Sequence, residues 1–281
     1  MSDLILGAMI LAALSVAIFV VVALTATRLP PRVCDALAVA VLILIGFYVR
    51  DVWDNIALAR WLPVSNLIVV GNAFPLAMAV LAGLAWNRVP PPTFRRAFIV
   101  AVLFGVSVYA VYSPFRGQVP QCGDNWVNGV CQQTTPDTCS AASAATLLRY
   151  HGIPTTEQEM AELCITRQGT SWLGLFRGLK LKTAGTEWDV EVLSGNIDDL
   201  QREGSGGAIV FLRLTAEVAD QNPNYEANGW IAGTSHSAVL FGIDRTGLCL
   251  MGDPSAGIEQ MPLSGFKQLY EGRGMRLVKR R

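Results

Sequence analysis

The sequence predicts a two-part chain: about four membrane-spanning helices, then an α+β domain with helices packed on an antiparallel sheet. Three observations carry this. Mean hydropathy is +0.38 over 281 residues, 52% of them hydrophobic, and nearly all the excess lies before residue 114. The rest, about 165 residues, has globular composition and the length for one core of ordinary size. Within it, helix patterns come first and strand patterns later, which is the α+β order. The chain therefore divides into a transmembrane region, 1–113, a linker, 114–131, and a domain, 132–281.

The first apolar run, Leu4 to Leu24, is long enough to cross a bilayer. Only Ser2 and Asp3 separate it from Met1, so it lacks the positive flank of a secretory signal and reads as a span. The second, about Val33 to Val49, is short and carries Asp35. The third, Pro63 to Trp86, is interrupted by Asn66, Asn72 and Pro75. The fourth covers Ala97 to Tyr112. A surface helix would show polar residues at helical spacing, and these runs mostly do not. Arg28 and Arg32 follow the first run and Arg88, Arg95 and Arg96 the third, against Arg50 and Arg60 after the second and Arg116 after the fourth. The short loops after the first and third runs are expected in the cytoplasm. The domain then lies on the periplasmic or extracytoplasmic side, with the bacterial inner membrane as the expected location.

In the linker, Cys122 and Cys131 bracket a turn-rich octet that can close as a disulfide loop in an oxidising compartment. Two free thiols or a metal-binding pair are the other readings. Cys34 begins a membrane segment, while Cys164 and Cys249 sit in apolar surroundings as inert core thiols.

In the domain, Thr138 to Tyr150 is rich in alanine and leucine and predicts a helix. Asp137 or Thr138 is available as its N-cap, and Gly152 lies past its end. Thr156 to Glu159 reads as a capping box opening a second helix through about Cys164. A third helix opens near Gly169, capped by Thr170 or Ser171, and a short fourth is expected at Ile197 to Glu203. Strands are predicted at Asp189 to Leu193, Ala208 to Arg213, Ser237 to Asp244, and Leu248 to Met251, the last two as a hairpin.

Four residues offer chemistry. Cys139 opens a helix, whose positive end stabilises a thiolate. Gln133, six residues upstream, carries an amide able to donate to an oxyanion, with Gln132 beside it as a rival. His236 precedes an apolar strand, and Asp253 ends the next one. Such a set supplies nucleophile, base, orienter and oxyanion donor. Singly, each has a plain structural reading: a small core thiol, a loop histidine, an Asp-Pro turn. His151 is better explained as a cation at a helix C-terminus.

The stretch from about Cys131 to Met275 resembles the bacteriocin-processing, double-glycine-leader endopeptidases, which are papain-like cysteine peptidases. That family has a glutamine six residues before a cysteine opening an alanine-rich helix that ends in Tyr-His or Tyr-Gly. Here these are Gln133, Cys139 and Tyr150-His151-Gly152. A Gly-Thr-Ser helix start is matched by Gly169 to Ser171, the histidine by His236, and Asp-Pro-x-x-Gly by Asp253 to Gly257. The resemblance implies Cys139 as nucleophile, His236 as general base and acid, Asp253 as orienter, and Gln133 as oxyanion-hole donor. It departs in two respects. Ser140 stands where glycine is frequent, and the domain follows the spans instead of preceding transport and ATP-binding domains.

The expected function is therefore a membrane-anchored cysteine endopeptidase acting on an exported or membrane-associated peptide or protein, and the resemblance implies cleavage after small residues such as Gly-Gly. A catalytically silent peptide-binding module and a transamidase or deamidase are the competing readings. No cofactor or metal is expected. With no net charge and no phosphate-binding loop, neither nucleic acid nor nucleotide is an expected partner. The lipid bilayer is, and partner membrane proteins are left unnamed.

Overall fold

A computed structural model describes residues 2–195, 197, 200, 207–227 and 230–280. The chain forms two compact units: Met1–Leu58 with Leu62–Arg116, and Ala59–Trp61 with Gly117–Arg281.

The first unit contains the helices α1 (Ser2–Ala26), α2 (Pro31–Phe47), α4 (Leu67–Val70), α5 (Phe74–Arg88) and α6 (Thr93–Tyr112), and a short turn α3 (Leu58–Trp61) lies at its boundary. Among the described residues, four stretches are long and apolar enough to cross a membrane: Ser2–Ala26, Pro31–Val52, Leu67–Arg88 and Thr93–Phe115. The third is 56% buried, against 11% or less for the others, so α5 is the centre on which its neighbours pack. Gly83 permits the closest approach. A Cβ there would lie 2.8 Å from Val22 Cγ1 and 3.0 Å from the Phe19 carbonyl. Asparagines tie α4 and α5 to other elements: Asn66 Nδ2 donates to the Asp3 carbonyl (3.2 Å) and Asn87 Nδ2 to that of Ala23 (2.6 Å).

The polar interruption expected in the third run is a real break between α4 and α5. In hydrocarbon a freed backbone group must find a partner within the protein. The Tyr48 hydroxyl supplies two at once, donating to the Gly71 carbonyl (3.0 Å) and accepting from the Ala73 N–H (3.2 Å). Asn72 is buried there. Its Oδ1 accepts from the Phe74 N–H and its Nδ2 donates to the Ala110 carbonyl.

The second unit opens with a small hairpin, β1 (Asn125–Val127) and β2 (Val130–Gln132), followed by α7 (Cys139–Tyr150), α8 (Glu157–Leu163) and α9 (Trp172–Lys182). Next come β3 (Trp188–Ser194), β4 (Ala208–Arg213), α10 (Ala216–Gln221) and α11 (Asn224–Ala227). The chain continues through β5 (Ser235–Ile243), β6 (Leu248–Asp253), β7 (Gly257–Pro262), α12 (Leu263–Leu269) and β8 (Tyr270–Lys279). Six strands make one antiparallel sheet in the order β3-β8-β4-β5-β6-β7. The predicted class, apolar helices followed by helices on an antiparallel sheet, is the class observed.

Helix starts follow local chemistry. Thr156 caps α8 by accepting from the Glu159 N–H (3.1 Å), but Glu159 does not reach back. It binds Thr155 and Lys182 instead, at 2.8 Å each. Ser171 caps α9, while Thr170 pairs with Thr166 (2.8 Å). Neither Asp137 nor Thr138 caps α7. A 3-10 turn over Pro136–Thr138, closed by reciprocal Thr135 and Thr138 bonds, delivers the chain to Cys139. The helix expected at Ile197 to Glu203 falls mostly outside the described residues.

Candidate active site

α7 is almost wholly buried along its length, and its alanines let it lie close against β2 and β5. Cys139 is its first residue and remains half-buried. His236 is the second residue of β5 and Asp253 the last of β6. Adjacent antiparallel strands bring the two together. His236 Nε2 lies 3.1 Å from Asp253 Oδ1 and 3.2 Å from Oδ2. The ring and the Cys139 sulfur also shift each other's titration, His236 drawing the thiol down and the thiolate holding the imidazolium up. With Nε2 engaged by the carboxylate, Nδ1 is the nitrogen left for the thiol.

Asp253 is fully buried, and so needs partners for its charge. Besides His236 it accepts from the Ser255 N–H (2.7 Å), the Ser255 hydroxyl (2.6 Å) and the Trp230 indole N–H (2.9 Å). The Trp230 ring also packs on His236, with centroids 4.6 Å apart. Two glycines allow this corner. A Cβ at Gly252 would meet Phe241 at 2.8 Å, and Gly257 turns the chain with φ +96°. The Gln133 N–H donates to the Pro254 carbonyl (2.8 Å), so Gln133 is fastened beside the Asp253 corner. Its Oε1 is buried without a hydrogen-bond partner, as is Nε2 of the neighbouring Gln132. Buried Glu157 anchors the next residue, accepting from the Thr134 N–H (2.8 Å) and hydroxyl (2.6 Å).

The electrostatics single out one thiol. Burial alone would push the Cys139 pKa up. The His236 hydrogen bond and charge, the Ser237 N–H and the Ser140 hydroxyl outweigh burial, and the net direction is down. Burial likewise works against a charged His236, but the hydrogen bonds and charges of Asp253 and Cys139 raise it to about 10. Asp253 goes down against its burial, chiefly through His236. The arrangement favours a thiolate–imidazolium pair. The other cysteines of this unit go the opposite way. Burial pushes Cys164 to about 12 and Cys249 to about 11. Cys122 rises to about 11 and Cys131 to about 12 through burial, then the Glu157 charge.

Cys122 and Cys131 are free thiols in the structure. The octet between them closes as the β1–β2 hairpin, in which the residue opposite Cys131 is Trp126. Buried Cys131 gives its N–H to the Thr146 hydroxyl of α7 (2.9 Å). Sequence reasoning missed Trp230, Ser255 and Glu157. Ser255 was within reach, since a serine two residues after an Asp-Pro aspartate can bond back to it. Trp230 and Glu157 carry no local signal.

Comparison with known proteins adds a family match. The model of the Peptidase_C39 like family matches residues 125–277. No curated protein matches. Among solved structures, one similar chain is described as a double glycine motif protease from an AMS/PCAT transporter in complex with the leader peptide. It is 19% identical over 59% of this chain and 96% of its own, with TM-score 0.41. The peptidase domain of Streptococcus ComA, a bi-functional ABC transporter involved in a quorum sensing pathway, is 17% identical over 54% and 98%, with TM-score 0.43. That of Streptococcus mutans ComA is 18% identical over 53% and 98%, with TM-score 0.37.

Proposed function

The chain belongs to the Peptidase_C39 like family, and from that premise we propose that it is a membrane-anchored cysteine endopeptidase with Cys139 as its nucleophile. The observation that carries this is a histidine held by a buried carboxylate, together with the one thiol of the unit whose pKa is lowered, by that histidine.

In this reading the Cys139 thiolate attacks the scissile carbonyl carbon, and the Gln133 side-chain amide donates to the oxyanion that forms. The His236 imidazolium gives its Nδ1 proton to the departing amine, leaving a thioester on Cys139. A water then enters, His236 takes its proton, the hydroxide adds to the thioester carbon, and the acid leaves as sulfur regains its charge. Asp253 stays ionised throughout and fixes which nitrogen faces the sulfur. The four apolar helices anchor the domain, the arginine balance of the loops supports a location outside the cytoplasm, and an exported or membrane-associated peptide is the substrate. Cleavage after small residues such as Gly-Gly completes this reading.

An electrophilic thiol probe tests the assignment. Labelling is expected at Cys139, abolished in Cys139→Ala and strongly slowed in His236→Ala. Persistent labelling of Cys139→Ala at another cysteine would sink the nucleophile. A reporter active only in the cytoplasm, fused after Arg281, is expected to stay silent, and activity there would reverse the orientation.

A further inference from the structure

In the apolar unit α1 and α6 both pack on α5, and a groove of about 510 Å³ runs between them. Its walls extend from Ala8 to Phe19 on α1 and from Val100 to Tyr112 on α6, with Pro75 to Ala82 of α5 as the floor. At the helical rise these walls are about 17 Å long, close to one leaflet and far short of a ~30 Å hydrocarbon core. One end stops at Phe19, whose ring packs edge-on against Trp86 with centroids 6.2 Å apart. The other end reaches Tyr112 and Phe115, and Arg116 follows.

The lining narrows the choice of occupant. The hydroxyls of Ser15 and Ser107 already donate to the carbonyls of Leu11 (2.8 Å) and Leu103 (3.0 Å). An extended peptide lying there would have backbone groups without partners. A membrane-crossing helix satisfies its own backbone, but it is nearly twice as long as the walls and would meet the Phe19–Trp86 pair. What fits is an apolar chain of leaflet length with its polar group at the Tyr112 end. That end carries the charge. The Arg116 guanidinium gives one N–H to the Tyr109 hydroxyl (3.1 Å) and lies over that ring. Among the described residues no carboxylate pairs with it, so its other N–H groups can bind a phosphate. Tyrosine and arginine at the end of a span mark the headgroup level. We propose that the groove is a lipid site: one acyl chain of a phospholipid lies between α1 and α6, and Arg116 holds its phosphate. A lipid so placed bridges the two helices, and the site is independent of the chemistry at Cys139.

The test is native mass spectrometry of the full chain, stripped of lipid in maltoside detergent and titrated with palmitoyl-oleoyl phosphatidylglycerol, with the thermal midpoint recorded alongside. One lipid per chain is expected to bind and to raise the midpoint. Ala12 lines the groove from an exposed position, and Ala12→Phe is expected to weaken binding about tenfold or more by filling it. Ala13→Phe, the same change at an exposed residue outside the groove, leaves binding unaltered. Arg116→Gln weakens it about fivefold, the worth of one arginine at a lipid surface. The same variant binds hexadecanol, which has the chain without the phosphate, as well as the unaltered chain does. Arg116 is exposed, so this variant reads the site even where the added ring disturbs α1. Equal lipid binding by Ala12→Phe and Ala13→Phe overturns the site in favour of a general lipid coat. Undiminished phosphatidylglycerol binding by Arg116→Gln overturns the headgroup contact. A dimer that Ala12→Phe dissociates overturns the proposal as well, since a second copy would then fill the groove.

Discussion

The two units spend their polar side chains in opposite ways. In the apolar unit, Asn66, Asn72, Asn87 and Tyr48 each donate to a backbone carbonyl of another element, one clamp at a time. In the sheet unit they converge: His236, Trp230 and Ser255 all bond the Asp253 carboxylate, and Ser140 bonds Ser237, the neighbours in sequence of Cys139 and His236. Buried polarity alone therefore says little about chemistry. Dispersed groups satisfy backbone, whereas donors gathered on one carboxylate hold a buried charge in place beside a histidine.

Variants can break or sharpen that contrast. Cys139→Ala is expected to bring peptide turnover to background, a fall of about 10^4-fold or more, with folding intact by circular dichroism. Asp253→Asn keeps the shape but loses the charge that holds His236 up, and turnover drops on the order of 10^3-fold. The pH profile checks the sign. The productive pair needs Cys139 deprotonated and His236 protonated, so activity falls in acid as the thiolate takes a proton, and in alkali near pH 10 as His236 loses its own. In Asp253→Asn the alkaline limb moves down toward the ordinary histidine range, and a limb that stays put contradicts the assignment. Trp230→Phe retains the ring over His236 but deletes the donor to Asp253, and kcat/KM decreases about tenfold. Asn72→Ala, in the other unit, lowers stability in detergent by about 1 kcal/mol and leaves turnover unchanged. A matching loss of turnover would show that the clamps serve the chemistry as well.

Much of this was legible in the residues, because periodicity and local chemistry wrote it. The strand predicted at Ala208 to Arg213 has those bounds, and Asp244 turns the chain into β6 by accepting from the Thr246 and Leu248 N–H groups. Other elements were hidden for physical reasons. β8, with glycines at 272 and 274 and arginines at 273 and 276, reads as a surface loop, yet it lies inside the sheet. Gly274 is needed there, since a Cβ would stand 2.6 Å from the Ile209 carbonyl. Asn72 was visible as an interruption of its span, but the hydroxyl that repairs the break comes from Tyr48, a long-range pairing no spacing rule reveals. At the site, residues in the order glutamine, cysteine, histidine, aspartate were readable. The indole that closes the network was not, because Trp230 finds Asp253 only after the sheet has formed.

The position of β8 bears on how such a protein comes into being. β3 meets the sheet only through β8, and β4 has β8 as its second neighbour. Residues 270–279, which fill the gap between β3 and β4, follow both in sequence, with β5, β6 and β7 in between. Until those arrive, β3 has no strand to pair with and the domain is incomplete. Sequence-distant pairing of this kind is slow to form.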